Sequence, residues 1–159
     1  MNLARTVSNR VFYMDDGGIY EDGTPEQIFT KPQKDRTRRF IHRLKVLELN
    51  ITSRDYDFPG TVSAIEEYCR KNLVSPHTCN RIQLTFEELV QQILLPKLAT
   101  PKLDVVIEYS EDGEAVMTVN SDAMNTNPLD GADELSLAVL RGATSEITYS
   151  EGNLKLAVK

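Results

Sequence analysis

Cys69, His77 and Cys79 are residues of the types that hold zinc, a thiolate and an imidazole being its preferred protein ligands. A structural zinc site needs four such ligands, and neither a C-x-x-C pair nor a fourth donor accompanies these three. Cys69 falls on the apolar stripe of an expected helix, so it reads as a small buried hydrophobe and no metal site is expected. His42 has basic neighbours and no acid to orient it, which makes it a surface residue rather than a base. Glu87 and Glu88 diverge by ~100° on a helix and do not make an acid/base pair. Lys34, Arg36, Arg38, Arg39 and Arg43 could form a phosphate patch. With no aromatic interleaving and no nucleic-acid motif, they read instead as a solvated helix face whose stems cover Phe40, Ile41 and Leu44. No residue is expected to be catalytic.

The elements that would position these groups follow from pattern. Residues 3–9 read as a helix. Val11–Met14 and Ile19–Glu21 read as short strands about a turn at residues 15–18, and Thr24 caps a helix opened by Pro25. From Val46, the alternation of Leu47, Leu49 and Ile51 predicts a half-buried strand. A turn at Pro59-Gly60 precedes a helix with Val62, Ile65, Cys69 and Leu73 on one face, capped by Thr61 or Ser63 and bounded by Asn72 and Pro76. A second helix follows Ser75-Pro76, buries Ile82, Phe86, Leu89, Val90, Ile93 and Leu94, and stops at Pro96. LDVVIEY and EAVMTVN are joined through Asp112-Gly113 as a hairpin. A polar loop then leads to ELSLAVLRGA, with Leu135, Ala138 and Val139 as its buried stripe, and a hairpin closes about residues 151–153. The order predicts an α+β fold: a mixed, mostly antiparallel sheet with two or three helices on one face, plus a small N-terminal helix-hairpin-helix appendage.

Charge marks the division. Of the 159 residues, those up to Lys45 hold nine Lys/Arg against six Asp/Glu, or +3, leaving nine against eighteen, or −9, from Val46 onward. Domains are therefore expected at 1–45 and 46–159. The overall −6 argues against bulk nucleic-acid binding. There is no apolar run of the ~20 residues a membrane span needs and no export signal, so a cytoplasmic protein with reduced thiols is expected.

The string ARTVSNRVFYMDDGGIYEDGTPEQIFTKPQKDRTRRFIHRL resembles the carboxy-terminal end of the ATPase subunits of polar amino-acid ABC transporters. There the passage follows H-E-M-x-x-A-R and runs through two strands, a G-x-P-E-x-I-F turn-helix and an R-T-x-x-F helix. Met1, Ala4 and Arg5 match the M, A and R, which puts the family's histidine just before residue 1 and implies a cut piece of a longer ATPase or a truncated gene product. ATP hydrolysis needs a glycine-rich phosphate cradle with its Lys and a carboxylate for Mg²⁺. This chain has no G-x-x-x-x-G-K-[ST], no Walker B run and no signature motif, so it is expected not to be an enzyme, although its parent would be.

Residues 46–159 resemble the ATP-binding fold shared by histidine kinases, gyrase, a heat-shock chaperone and anti-sigma-factor kinases, the GHKL-type fold. RIQLTFEELVQQIL is similar to its E-x-x-x-N helix and MTVNSDAMNTNPL to its D-x-G-x-x-F-N-P adenine loop. ELSLAVLRGATSEITYSEGNLKLAVK is similar to its G-L-G-L helix and last hairpin. The resemblance puts Glu88 on the family glutamate and Gln92 on the Mg²⁺-holding asparagine. Ser121 falls on the adenine-binding aspartate, with Asp122 one residue away, and Ala123 on the following glycine. Glu134 and Ser136 replace lid glycines. These departures at the contact points imply a vestigial pocket with no cofactor.

The expected function is thus a C-terminal portion of an amino-acid-uptake ABC ATP-binding subunit carrying a non-catalytic regulatory or interaction domain. The alternative is an ATP-binding or anti-sigma-kinase-like module that retains a weak nucleotide pocket. Implied partners are the remainder of the ATPase and its transporter, with the membrane reached only through them. The exposed hairpin edge implies a homodimer.

Overall fold

The computed structural model describes residues 2–159, with side chains from Ala4; Met1, matched above to the family's methionine, lies outside the described residues. The chain divides into two compact units, Met1–Lys45 and Val46–Lys159.

In the first unit, α1 (Asn2–Val7) precedes a hairpin of β1 (Val11–Asp15) and β2 (Gly18–Gly23). Asp16 and Gly17 turn at φ +50° and +76°, the paired positive values of a two-residue hairpin turn whose twist suits the strands. Helix α2 (Pro25–Thr30) starts as expected. Thr24 accepts from the Gln27 amide while the Gln27 side chain accepts from the Thr24 amide, a reciprocal cap. Helix α3 (Asp35–Ile41) is held at its start by Glu21 of β2, whose carboxylate accepts from the Gln33 and Lys34 amides at 2.7 and 3.1 Å.

The second unit is a five-stranded sheet in the order β3-β4-β5-β7-β6, built from β3 (Lys45–Ile51), β4 (Leu103–Tyr109), β5 (Ala115–Asn120), β6 (Thr144–Ser150) and β7 (Asn153–Val158). The β4–β5, β5–β7 and β7–β6 pairs are antiparallel. Period-two alternation sends Leu103, Val105 and Ile107, then Ala115, Met117 and Val119, then Leu154, Leu156 and Val158 into one core. The buried residues of the helices join the same core, which gives the two-layer α+β arrangement expected from the element order.

Three helical details depart from the pattern. Helix α4 spans Phe58–Lys71, so Pro59-Gly60 is its first turn and not a turn before it. Asp57, rather than Thr61 or Ser63, is the cap, its Oδ1 accepting from the Gly60 amide at 2.9 Å; a proline is tolerated in a first turn because its missing N–H has no partner there. Leu73 leaves the stripe: it lies beyond the helix at φ +55° and is 88% exposed. In α7 (Glu134–Ala143) the buried face is Ser136, Leu140 and Ala143, while Leu135 is 73% exposed and Ala138 is exposed. Asp133 Oδ2 accepts from the Leu135 and Ser136 amides, fixing where the helix starts and turning small residues inward, where they allow close packing.

The third departure concerns winding. Helix α5 (Pro76–Phe86), capped by Ser75, runs directly into a π-helix, Glu87–Leu94, and then into one last turn, α6 (Leu95–Lys97), which takes in Pro96. The Leu95 amide bonds to the Val90 carbonyl, five residues back. One extra residue per turn rotates the succeeding residues by ~100°, so Leu95 and Leu98, which a continuous α-helix would turn away from Phe86, are buried with it. Among the described residues, no helix is long and apolar enough to cross a membrane.

Candidate functional site

The loop after β5 and the turn between β6 and β7 form a cleft of about 450 Å³, the size range of small-molecule sites. Register brings them together. Asn120 pairs with Asn153 across β5 and β7, so the chain leaving β5 passes beside the Glu151-Gly152 turn. The Ser121 amide donates to the Gly152 carbonyl at 2.9 Å. Gly152 sits at φ +78°, and a Cβ there would lie 2.8 Å from the Ser121 carbonyl oxygen, so only glycine fits. The Tyr149 hydroxyl donates to the Met124 carbonyl at 2.7 Å, and the Asn153 amide side chain donates to Asn120 Oδ1.

The far end of the loop is tied as well. Lys97 Nζ donates to the Pro128 and Asp130 carbonyls at 2.5 and 2.9 Å. Between these ties Met124 is buried at 3% exposure, and the half-buried Leu129 and Ala132 pack on the core that holds Phe86 and Leu89. The loop thus turns its own apolar side chains into the domain core.

The seven positions carried over from the resemblance are split, and Glu134 and Ser136 lie in the first turn of α7, exposed and buried respectively and outside the cleft lining. Ser121 and Asp122 line the cleft, with Ser121 buried and its Oγ accepting from the Ala123 amide, and Asp122 exposed. Ala123 is exposed on the loop and is not among the lining residues. Glu88 and Gln92 lie on the π-helix, outside the cleft, half-buried and exposed respectively. Their four-residue spacing faces one way only in an α-winding, and the i→i+5 bonding of the π-helix offsets them. Glu87 and Gln91 instead face Tyr56, whose hydroxyl is pushed up to about 12 by burial and then by the Glu87 charge.

Electrostatics limit what the cleft can accept. Its lining side chains include two carboxylates, Asp122 and Glu151, and two amides, Asn120 and Asn125, and no Lys or Arg. A polyanion placed there meets like charge with nothing to offset it. Sequence reasoning missed Glu151 and Gly152 because they lie about thirty residues from the loop and reach it only through the β5–β7 register, which no local pattern reveals; Asn120 and Asn125 lie in the stretch likened to an adenine loop but matched none of its contact positions.

The remaining candidates resolve individually. His77 and His42 are both exposed, whereas Cys69 is buried, and no group of three His, Cys, Asp or Glu among the described residues could hold a metal ion. Four arginines of the first unit are paired locally. Arg36 bonds Asp15 and Asp16 at 2.6 and 3.0 Å, Arg38 and Arg39 both pair with Asp35 at 2.8 Å, and Arg10 pairs with Asp22. Arg36 in turn holds the Asp15 carboxyl below its ordinary value. The basic run of α3 is therefore a salt-bridged face.

The hairpin of that unit carries an apolar side in the open. Phe12, Met14 and Ile19 are 47, 64 and 61% exposed, and Met14 pairs with Ile19 across the strands. Tyr13 is turned to the other side against Tyr20 and Phe40.

No protein-family model matches the chain. Among curated proteins, it is 52% identical over 44 residues to the L-cystine import ATP-binding protein TcyN of Bacillus subtilis. It is 51% identical over 41 residues to a probable amino-acid ABC transporter ATP-binding protein, y4tH, of Sinorhizobium fredii, and 46% identical over 44 residues to the glutamate transport ATP-binding protein GluA of Corynebacterium efficiens. These matches take in 26 to 28% of this chain and 16 to 18% of each relative. Over a segment as long as its first unit, and over less than a fifth of their own length, the chain is thus similar to amino-acid ABC transporter ATP-binding proteins.

Proposed function

We propose that the first unit is the carboxy-terminal piece of an amino-acid-uptake ABC transporter ATP-binding subunit, and that the second is a non-catalytic accessory domain with a GHKL-like shape. The single observation that supports the first half is the 44-residue likeness, whose length is that of the unit and whose relatives all carry ATP-binding transport names. The exposed Phe12, Met14 and Ile19 fit this reading. A two-stranded sheet does not bury its own apolar side, and the rest of an ATP-binding subunit, or a second copy of the chain, would cover it at the cytoplasmic face of a membrane.

For the second half, the support is the cleft that holds carboxylates and no cation, beside a loop packed shut by Met124, Leu129 and Ala132. Such a domain acts by binding two states of a neighbouring protein unequally. Crystals grown with an adenine nucleotide and Mg²⁺ test it: no nucleotide between the Phe86 helix and the Met124 loop is the expected result, and a bound purine there overturns the reading. The genomic DNA upstream of the first codon tests the other half, where in-frame Walker A and B segments are expected and a stop codon contradicts it.

One observation favours a second reading, a weak nucleotide module. The cleft is large enough for a purine, and Asp122 stands exposed at its edge, where a carboxylate could accept from an exocyclic amino group.

A further inference from the structure

Strand β6 ends the five-stranded sheet, with β7 on one side of it and, among the described residues, no strand on the other. Its hairpin with β7 closes on the Ser150–Asn153 pair about a two-residue turn, Glu151 and Gly152, both at positive φ. In such a hairpin the closing pair exchanges both backbone bonds, and bonded and unbonded pairs then alternate along the ladder. Glu146, Thr148 and Ser150 therefore direct their amides and carbonyls to β7, whereas Ile147 and Tyr149 turn theirs to the open edge. The features that usually blunt such an edge are sparse. TSEITYS has no proline, no lysine and a single charge, Glu146, and its one irregularity lies at the start, between Thr144 and Glu146. A groove of about 360 Å³ opens at that end, with Arg141, Ser145, Glu146 and Ile147 among its walls, so the edge is not covered there.

We propose that β6 is a self-pairing surface: two copies of the chain join β6 to β6, antiparallel about a two-fold axis at Ile147, and merge two five-stranded sheets into one of ten strands. The outward backbone of Ile147 sets the axis. Each Ile147 amide donates to the other's carbonyl, and Tyr149, the next outward residue, falls opposite the partner's Ser145. The same register is complementary in charge, because it sets Glu146 opposite the partner's Thr148 and not opposite a second carboxylate. Thr148 already pairs with Lys155 of β7 on the exposed face of the sheet. One row across the joined sheet therefore runs Lys155, Thr148, the partner's Glu146, and the two-fold repeats it. Two strand spacings, roughly 10 Å, lie within the combined reach of a lysine and a glutamate. On the opposite face Ile147 is half-buried at the rim of the core, and the partner's Ile147 completes its burial. A foreign strand could satisfy the same backbone groups, but a second copy supplies both the apolar contact and the carboxylate in line with Lys155. The contact lies wholly in the second unit and is independent of the hairpin of the first.

Sedimentation velocity of the full chain over a concentration series tests this, with T148E and the double variant T148E/E146K. Thr148 is exposed and faces Lys155 within its own chain, so a carboxylate there suits the monomer. In the dimer the same carboxylate stands opposite the partner's Glu146, once on each side of the axis. The wild-type chain is expected to dimerise, T148E to dimerise about tenfold more weakly, and the double variant, which sets opposite charges across the axis, to recover. That recovery separates a lost contact from a lost fold. Amide hydrogen exchange followed by NMR gives a second readout: the Ile147 and Tyr149 amides should slow as concentration rises, while the Thr148 amide is protected throughout. A wild-type chain that is monomeric at every concentration overturns the proposal. So does a dimer indifferent to T148E, as one held by the Phe12, Met14 and Ile19 side would be, or a weakening that E146K does not reverse.

Discussion

Gly152→Ala tests whether the β6–β7 turn and the loop after β5 are joined as described. At φ +78°, an alanine carries the left-handed penalty of about 1–2 kcal/mol. Its Cβ would also meet the Ser121 carbonyl oxygen at 2.8 Å, and relieving that clash separates the strands and costs the Ser121–Gly152 hydrogen bond, a further ~0.5–1.5 kcal/mol. The expected loss is about 1.5–3.5 kcal/mol. Gly131→Ala is the internal control: φ is +68°, nothing lies within 4 Å of an added Cβ, and only the backbone penalty should register. Urea unfolding of the full chain, followed by far-ultraviolet dichroism, measures both, and hydrogen exchange of residues 121–125 should quicken in Gly152→Ala alone. Equal losses for the two variants, with unchanged exchange at the loop, would rule out the close approach and with it the geometry of the cleft.

Other consequences can be checked separately. Lys97→Met removes both bonds to the 128–130 carbonyls and should cost about 1–2 kcal/mol, with faster exchange confined to that loop. Burial alone would raise the Glu21 carboxyl, but the buried Thr37 hydroxyl beside it, the Gln33 and Lys34 amides and the Lys34 charge outweigh this and hold it below its ordinary value. Because the folded value is the lower one, its stabilisation is complete above about pH 5 and is lost as the pH falls through the folded value; Glu21→Gln should flatten that acid limb of a melting curve, and an unchanged limb contradicts the assignment. If the exposed hairpin side drives the proposed self-association, the unmodified chain should scatter light as a dimer and replacement of Phe12, Met14 and Ile19 by Ser, Lys and Thr should leave a monomer; equal masses for the two would contradict that role.

Much of the architecture was legible because it rests on short-range rules. Asp112-Gly113, the alternation of Leu103 to Ile107, and the Thr24-Pro25 and Ser75-Pro76 starts each fix a local geometry that the packed chain keeps. What was not legible depends on the partner face. Helix α7 spans the residues expected, but which of its sides is covered is set by the surfaces it packs on, and Ser136, Leu140 and Ala143 face inward rather than Leu135, Ala138 and Val139. The π-helix leaves no mark in EELVQQIL, whose spacing suits an ordinary helix; Leu95 and Leu98, buried only after the extra residue, could have hinted at it. The cleft was half visible, through Ser121 and Asp122, since its other wall arrives by strand register from the opposite end of the domain.

On the reading proposed above, the acidic unit has the form of a nucleotide-binding domain without the chemistry to hold a nucleotide. Calorimetric titration of the full chain with ATP and Mg²⁺ decides the point. No saturable heat is expected up to millimolar nucleotide, and a one-to-one isotherm with a micromolar dissociation constant, lost in Asp122→Ala, would overturn that reading.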